Sequence, residues 1–144
     1  MLDITNVNHV GIRISDKARS IEFYSLLGFD LVNDAGFESG HPVIMKHPSG
    51  VVLNLLGPAD VPGDVNILMD VDEKHTGITH VALTVGSLAQ AKEFVSEHDI
   101  KITGSFSFGD MSAIFIRDPD RNVIEVDAYE ITTSVEDDGY TNHP

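Results

Sequence analysis

Apolar residues alternate with polar or small residues in two segments of the chain, 8–14 and 80–86. The branched aliphatic residues of each segment share one face, and a histidine is the first residue of the other face. This period of two predicts a β-strand in each segment. A helical pattern follows each strand, directly after Asp16 and after Ser87, which are residue types that favour helix N-termini. Gly28 stands where the first helix would end in the left-handed conformation.

Three further strand-like runs follow each predicted helix, separated by glycine and proline signals. They span 29–34, 42–47 and 51–56 in the first half, and 100–106, 111–117 and 122–129 in the second half. Each half therefore reads as β-α-β-β-β, and equivalent positions such as His9 and His80 are 71 residues apart. A fixed offset of this kind indicates that one supersecondary unit is used twice. We expect an α+β fold.

The repeat predicts how the chain is organised into domains. Residues 1–57 form the first module and residues 79–129 the second. The segment 58–78 carries the glycine and proline residues typical of a linker. The acidic segment 130–144 is expected to be a flexible tail.

Composition excludes several classes of function. The chain has no cysteine, so neither disulfides nor thiolate metal sites are available. Its net charge of −14 opposes binding to nucleic acid or to anionic membranes. It shows neither a signal-peptide pattern at its start nor an apolar run of about 20 residues that could span a bilayer. We expect a soluble cytoplasmic protein whose partner is a small molecule, and an anionic ligand would need a local positive charge, most simply a metal.

Four polar residues stand at matched positions of the repeat and become one candidate site if the modules pair. His9 and His80 occupy the polar faces of the first strands, and Asn54 and Glu125 the last strands, again 71 residues apart. Two imidazoles and one carboxylate are a ligand set for a divalent metal (Fe, Mn, Ni or Zn) with open positions. Asn54 could be a weak fourth ligand or a hydrogen-bond donor. The alternative is that the histidines are structural or surface residues and Glu125 faces solvent.

Three segments resemble the vicinal oxygen chelate superfamily of glyoxalases, bleomycin resistance proteins and extradiol dioxygenases. They are Asn-His-Val at 8–10, Thr-His-Val at 79–81, and Asp-Pro-Asp-Arg-Asn-Val-Ile-Glu-Val at 118–126. The resemblance covers residues 6–129. It implies paired βαβββ modules that form a cup-shaped, partly open barrel, usually in a homodimer. It also implies that His9, His80 and Glu125 hold the metal.

The chain departs from particular activities of the superfamily. Glyoxalase I enzymes have a glutamate at the end of both modules, and here the first is Asn54, which cannot act as a base. Extradiol dioxygenases carry a histidine and a tyrosine before the Asp-Pro motif, where this chain has Ser-Phe-Gly at 107–109 and Ile116. Position 121, commonly glycine in the family, is Arg121.

These observations predict a metal-dependent lyase or isomerase that acts on a small substrate chelating the metal through vicinal oxygens. Glu125 and Asn54 are the candidate catalytic residues. One alternative is an extradiol-type ring-cleavage dioxygenase. Another is a protein that sequesters a small molecule without turnover, as bleomycin resistance proteins do. A third is a relic whose metal only stabilises the fold.

Overall fold

The structure is a computed structural model that describes residues 1–130 and the backbone of residues 139–140. The chain divides into two compact units, residues 1–64 and 65–144. The division falls inside the segment 58–78 that the sequence predicts as a linker. Among the described residues, neither helix has the length and apolar character needed to cross a membrane.

The first unit contains one four-stranded sheet, one α-helix and a short 3₁₀ helix. In the sheet, β1 runs parallel to β4, and the other neighbours are antiparallel, in the order β1-β4-β3-β2. Its elements are β1 (Val10–Arg13), α1 (Lys17–Leu26), β2 (Asp30–Asp34), the 3₁₀ helix (Phe37–Ser39), β3 (Val43–Lys46) and β4 (Val52–Leu56).

The second unit repeats this arrangement, with one added strand at the edge of its sheet. The order is β5-β8-β7-β6-β9, and β5 runs parallel to β8. Its elements are β5 (His80–Thr84), α2 (Leu88–Glu97), β6 (Gly104–Phe108), β7 (Met111–Arg117), β8 (Val123–Tyr129) and β9 (Gly139–Tyr140). The predicted α+β fold with two βαβββ modules is confirmed. The predicted flexible tail, 130–144, lies outside the described residues apart from Glu130 and β9.

The strand pairing keeps the sequence repeat in register. Gly11 pairs with Asn54 in the first sheet, and Ala82, its equivalent, pairs with Glu125 in the second. Helix starts follow the sequence as well, since Asp16 accepts a hydrogen bond from the Arg19 backbone and Ser87 does the same for Gln90. These side chains satisfy backbone donors that the helix leaves unpaired.

The predicted start of β6 was wrong, because β6 begins at Gly104 and not near residue 100. The residues before it end the helix instead: Asp99 has a positive φ of 55°, and the Ile100 N–H donates to the Val95 carbonyl. Asp99 is the repeat equivalent of Gly28, which has φ of 96° as predicted for a left-handed helix end. Aspartate tolerates this conformation better than most residues. A sequence search that looks for glycine at helix ends therefore does not find the end of the second helix.

Arg121 also adopts a left-handed conformation, with φ of 62°, at the repeat position of Gly50, whose φ is 100°. A non-glycine residue pays a conformational cost there. The Arg121 carbonyl accepts hydrogen bonds from Arg117 Nη1 at 2.8 Å and from Asn66 Nδ2 at 3.1 Å. These two bonds hold the turn in a conformation that its residue type disfavours.

Asp70 closes this turn through its carboxylate. Oδ2 accepts from Arg121 Nε at 2.7 Å, and Oδ1 accepts from Arg121 Nη2 at 3.0 Å and from Arg117 Nη2 at 2.9 Å. The Arg117 side chain is only 7% exposed, so its charge depends on Asp70 for compensation. The hydrogen bond from Arg121 lowers the pKa of Asp70 well below its ordinary range. We call Asp70, Arg117 and Arg121 the arginine clamp.

Replacing Asp70 with asparagine should lower the free energy of unfolding by about 2 kcal/mol at pH 7, because Arg117 is left buried without a counter-charge. The pKa of Asp70 is lower in the folded chain than its ordinary value of about 4 in the unfolded chain. The carboxylate therefore stabilises the fold at pH values above about 4, and this stabilisation is lost progressively as the pH falls below that value. Urea unfolding at pH 7 and pH 3 should show the difference between wild type and Asp70→Asn shrinking at the lower pH. Asp60→Asn, at an exposed position, is the matched control. If both variants lower the free energy of unfolding equally, the arginine clamp does not stabilise the fold.

Gly57→Ala should destabilise the first unit by about 2 kcal/mol, as overpacking does in a filled core. A Cβ at this position would overlap the ring of Phe37, which is 2% exposed, and would lie 2.8 Å from the Ile14 carbonyl oxygen. Gly86→Ala is the control, since a Cβ there meets no atom within 4 Å. Thermal unfolding of the two variants checks this, and equal midpoints would show that the Phe37 ring moves aside at little cost.

Candidate functional site

The sheet of the second unit has one aliphatic face and one mixed face. On the aliphatic face, Ile114, Ile116 and Ile124 are at most 1% exposed. Helix α2 packs against the strands that carry them, β7 and β8. The mixed face carries three successive rows of side chains across β5, β8 and β7. They are His80–Val123–Arg117, Ala82–Glu125–Phe115 and Thr84–Asp127–Ala113.

His80 and Glu125 meet on this mixed face. His80 Nε2 lies 2.9 Å from Glu125 Oε2, with side-chain exposures of 35% and 13%. The Phe115 ring meets the imidazole edge to face, with centroids 6.0 Å apart. The two polar side chains are therefore partly shielded from solvent and are supported on one side by an aromatic ring.

The other nitrogen of His80 is also held. Its Nδ1 lies 2.8 Å from the Thr79 hydroxyl oxygen. A hydroxyl can either donate or accept, so it suits both neutral forms of the ring. If Nδ1 carries the proton and donates it to Thr79, then Nε2 presents a lone pair towards Glu125. A lone pair facing a carboxylate oxygen at 2.9 Å needs a cation between them, either a proton or a metal ion.

The distance between these two atoms also fits two neighbouring ligands of one metal. Nitrogen and oxygen donors lie about 2.1 Å from a divalent transition metal. Two such donors at a right angle would be separated by about 3.0 Å, close to the 2.9 Å between His80 Nε2 and Glu125 Oε2. The imidazole and carboxylate are also the donor types such ions accept. The pair is thus compatible with a shared metal.

The Nδ1 atom of His9, in the first unit, is also in contact with the side chain of the preceding residue. It lies 2.6 Å from the Asn8 side-chain oxygen, which can only accept a hydrogen bond. Nδ1 is therefore the donor in this hydrogen bond, and in the neutral ring Nε2 would keep a lone pair for a ligand. His9 is exposed and precedes β1, whereas the sequence predicts it within the strand. Strand pairing starts only at Val10, which pairs with Leu53.

Asn54 lies in β4 of the first unit, between Gly11 of β1 and Ile44 of β3, and is half-buried. Its amide can donate or accept hydrogen bonds but cannot take up a proton as a base. Of the four residues that the sequence proposes, His80 and Glu125 are in contact within the second unit. Across the part of the chain that the structure describes, no group of three or more His, Asp or Glu side chains is arranged to hold a metal.

Sequence reasoning gave no role of their own to three polar residues of these segments. Asn8 and Thr79 precede the two histidines at equivalent repeat positions, and that signal was available. Asp127 shares the strand face of Glu125 by alternation, but no spacing rule gave it a role. It is 7% exposed and accepts a 2.6 Å hydrogen bond from the Thr84 hydroxyl.

Comparisons with known proteins agree with this architecture. The sequence profile of the Glyoxalase/Bleomycin resistance protein/Dioxygenase superfamily matches residues 6–126. The chain is 25% identical over 140 residues to the glyoxalase domain-containing protein RDO1 of Mycosarcoma maydis, covering 90% of this chain and 71% of that protein.

Two solved structures share the fold. A glyoxalase/dioxygenase from Nostoc punctiforme has a TM-score of 0.71 at 23% identity, covering 90% of this chain and 94% of its own. TnmS3, an antibiotic binding protein from Streptomyces sp. CB03234, has a TM-score of 0.68 at 18% identity, covering 90% and 100%. Since the family profile spans most of the sequence, the chain belongs to the Glyoxalase/Bleomycin resistance protein/Dioxygenase superfamily.

Proposed function

We propose that the protein is a divalent-metal-dependent enzyme of the lyase or isomerase type, acting on a small substrate that chelates the metal through vicinal oxygens. The observation that carries the proposal is the 2.9 Å approach of His80 Nε2 to Glu125 Oε2, with Nδ1 of the same ring held by Thr79. His9 is the third ligand in the proposal, because its Nδ1 is occupied by Asn8 in the equivalent way. A homodimer in the cytoplasm remains part of the proposal.

The donor set suits transition-metal ions that accept nitrogen and oxygen ligands, and the ions in the proposal are Fe, Mn, Ni or Zn. When bound, such an ion acts as a Lewis acid that stabilises negative charge developing on a substrate oxygen. Glu125 offsets part of the metal charge. The Thr79 hydroxyl orients His80 and would accept the Nδ1 proton when Nε2 binds the metal, as outer partners of ligating histidines commonly do.

The substrate would lie over the mixed face of the second sheet. In their rows, Ala82 pairs with Glu125 and Ala113 pairs with Asp127, and each alanine carries only a methyl group. The Phe115 ring offers an apolar surface beside Glu125. Asn54, from the first module, is proposed to donate a hydrogen bond from its amide to a substrate oxygen.

Lyase or isomerase chemistry is favoured over ring cleavage by what stands before the Asp-Pro motif. Ile116 pairs with Ile124 and lies buried on the aliphatic face, so it cannot supply an acid or base to the mixed face. In the 107–109 stretch, the polar side chain is that of Ser107, whose hydroxyl forms a hydrogen bond with the Ser112 hydroxyl. Neither group replaces the histidine and tyrosine expected of an extradiol enzyme.

A sequestering protein is the competing function, since TnmS3, with the same fold, is described as an antibiotic binding protein. Such a protein would hold its ligand by shape and hydrogen bonds and would not need a metal. The role of the metal therefore separates the two functions.

The purified protein should contain about one Fe, Mn, Ni or Zn per chain, and both His80→Ala and Glu125→Ala should lose it, because each removes one donor. Elemental mass spectrometry measures the content directly. His98→Ala is the matched control, since His98 lies at the end of α2, where its Nδ1 contacts the Phe94 carbonyl. Wild-type protein that neither contains nor takes up a metal would favour the sequestering function.

Thr79→Val should keep the metal site but weaken it by about 10- to 100-fold, as loss of a histidine's outer partner does. The valine has nearly the shape of threonine and removes only the hydroxyl on His80 Nδ1. Competition for the metal with a chromogenic chelator measures the affinity. Thr103→Val, which removes a hydroxyl bonded to the Phe115 carbonyl, is the control. Equal affinities in the two variants would remove Thr79 from the site.

A further inference from the structure

Asp127 is a second carboxylate on the mixed face, two residues beyond Glu125. It lies in the row Thr84–Asp127–Ala113 and is 7% exposed. Its Oδ1 accepts a 2.6 Å hydrogen bond from the Thr84 hydroxyl. The first module has Arg13 and Leu56 at the equivalent positions, so this polar pair belongs to the second module alone.

The charge of Asp127 is not balanced by a cation within the described residues. The hydrogen-bond partner of Asp127 among these residues is Thr84, which is neutral. The ion pairs of the second unit involve other acidic residues, such as Glu125 and Asp70. Arg117 lies on the same face but two rows away, where it is engaged by Asp70. A buried carboxylate is costly unless it is paired. A charge of this kind is relieved when a ligand brings the opposite charge.

The Thr84 hydroxyl engages Oδ1 of Asp127 and leaves the second oxygen, Oδ2, for another donor. The row is covered at Ala113, which is 1% exposed, and meets solvent at Thr84 on the edge strand β5, whose side chains on this face are exposed. A ligand would therefore approach Oδ2 from the β5 side, and Oδ1 would keep its hydrogen bond to Thr84.

We propose that Asp127 recognises an ammonium group on the ligand, and that it selects cationic, oxygen-chelating molecules over neutral or anionic ones. The inference rests on the proposed metal site at His80 and Glu125. Residues two apart on a strand are separated by about 7 Å. The ligand would then present vicinal oxygens at one end and a protonated amine about one such step away. The net charge of −14 would also favour the approach of a cation.

Three catechols that differ only in their side arm test the proposal. Dopamine carries an ammonium, 4-ethylcatechol is neutral, and 3-(3,4-dihydroxyphenyl)propionate carries a carboxylate. Binding to the metal-loaded protein under anaerobic conditions is measured by isothermal titration calorimetry. Dopamine should bind about tenfold or more tightly than 4-ethylcatechol, as expected for a charge-assisted hydrogen bond, and the propionate should bind most weakly.

Asp127→Asn should bind dopamine and 4-ethylcatechol with nearly equal affinity. Retained binding of 4-ethylcatechol shows that the site remains folded in this variant. Asp110→Asn, an exposed change of equal charge at the β6–β7 turn, should keep the preference. If Asp127→Asn does not fold, the order of the three probes in wild type decides, and equal affinities overturn the proposal. A preference that Asp127→Asn leaves unchanged overturns it as well.

Chelator treatment separates this inference from the proposed function. If the catechols bind equally with and without metal, the proposed metal-dependent function fails. The Asp127 inference then still stands when dopamine keeps its preference and loses it in Asp127→Asn. If catechol binding needs the metal but the three catechols bind with equal affinity, only the Asp127 inference fails. No dopamine binding in either state overturns both.

Discussion

The parallel pairing of β5 with β8 is the constraint on which the candidate site depends. It places Ala82 opposite Glu125, so that His80, one row away, reaches the carboxylate. Side chains alternate between the two faces of a strand, and a slip of one residue would move Glu125 to the aliphatic face. The buried isoleucines of β7 and β8 resist such a slip, because it would expose them to the polar side. The hydrophobic core thus fixes the position of the polar pair.

Charge on the second unit is arranged unevenly around this sheet. Two arginines, Arg117 and Arg121, converge on the single carboxylate of Asp70. On the mixed face, by contrast, Glu125 and Asp127 lie on one strand without an arginine or lysine partner in the described part of the chain. Structural charges are neutralised within the protein, whereas these two carboxylates are left with a histidine and a threonine. Carboxylates in that state are suited to cations that come from outside the chain.

Both histidines of the repeat are oriented by the residue before them. Asn8 and Thr79 engage the Nδ1 atoms, which leaves Nε2 of each ring as the atom for further chemistry. Each of these contacts joins two consecutive residues, so it does not depend on the arrangement of the modules. Asn8 and Thr79 lie outside the strands, since β1 begins at Val10 and β5 at His80, so their side chains can turn to the rings.

The sequence by itself determined the elements and their order. Strand alternation, the caps at Asp16 and Ser87 and the 71-residue repeat are local or periodic signals, and periodicity follows from the backbone geometry of one segment. It also placed Glu125 and Asp127 on one face. Only the tertiary structure decided the contact between His80 and Glu125, the Thr84–Asp127 hydrogen bond and the arginine clamp, whose partners are 47 and 51 residues apart. Such contacts depend on strand register and side-chain rotamers, which are set by packing between distant segments and leave no periodic trace in the chain.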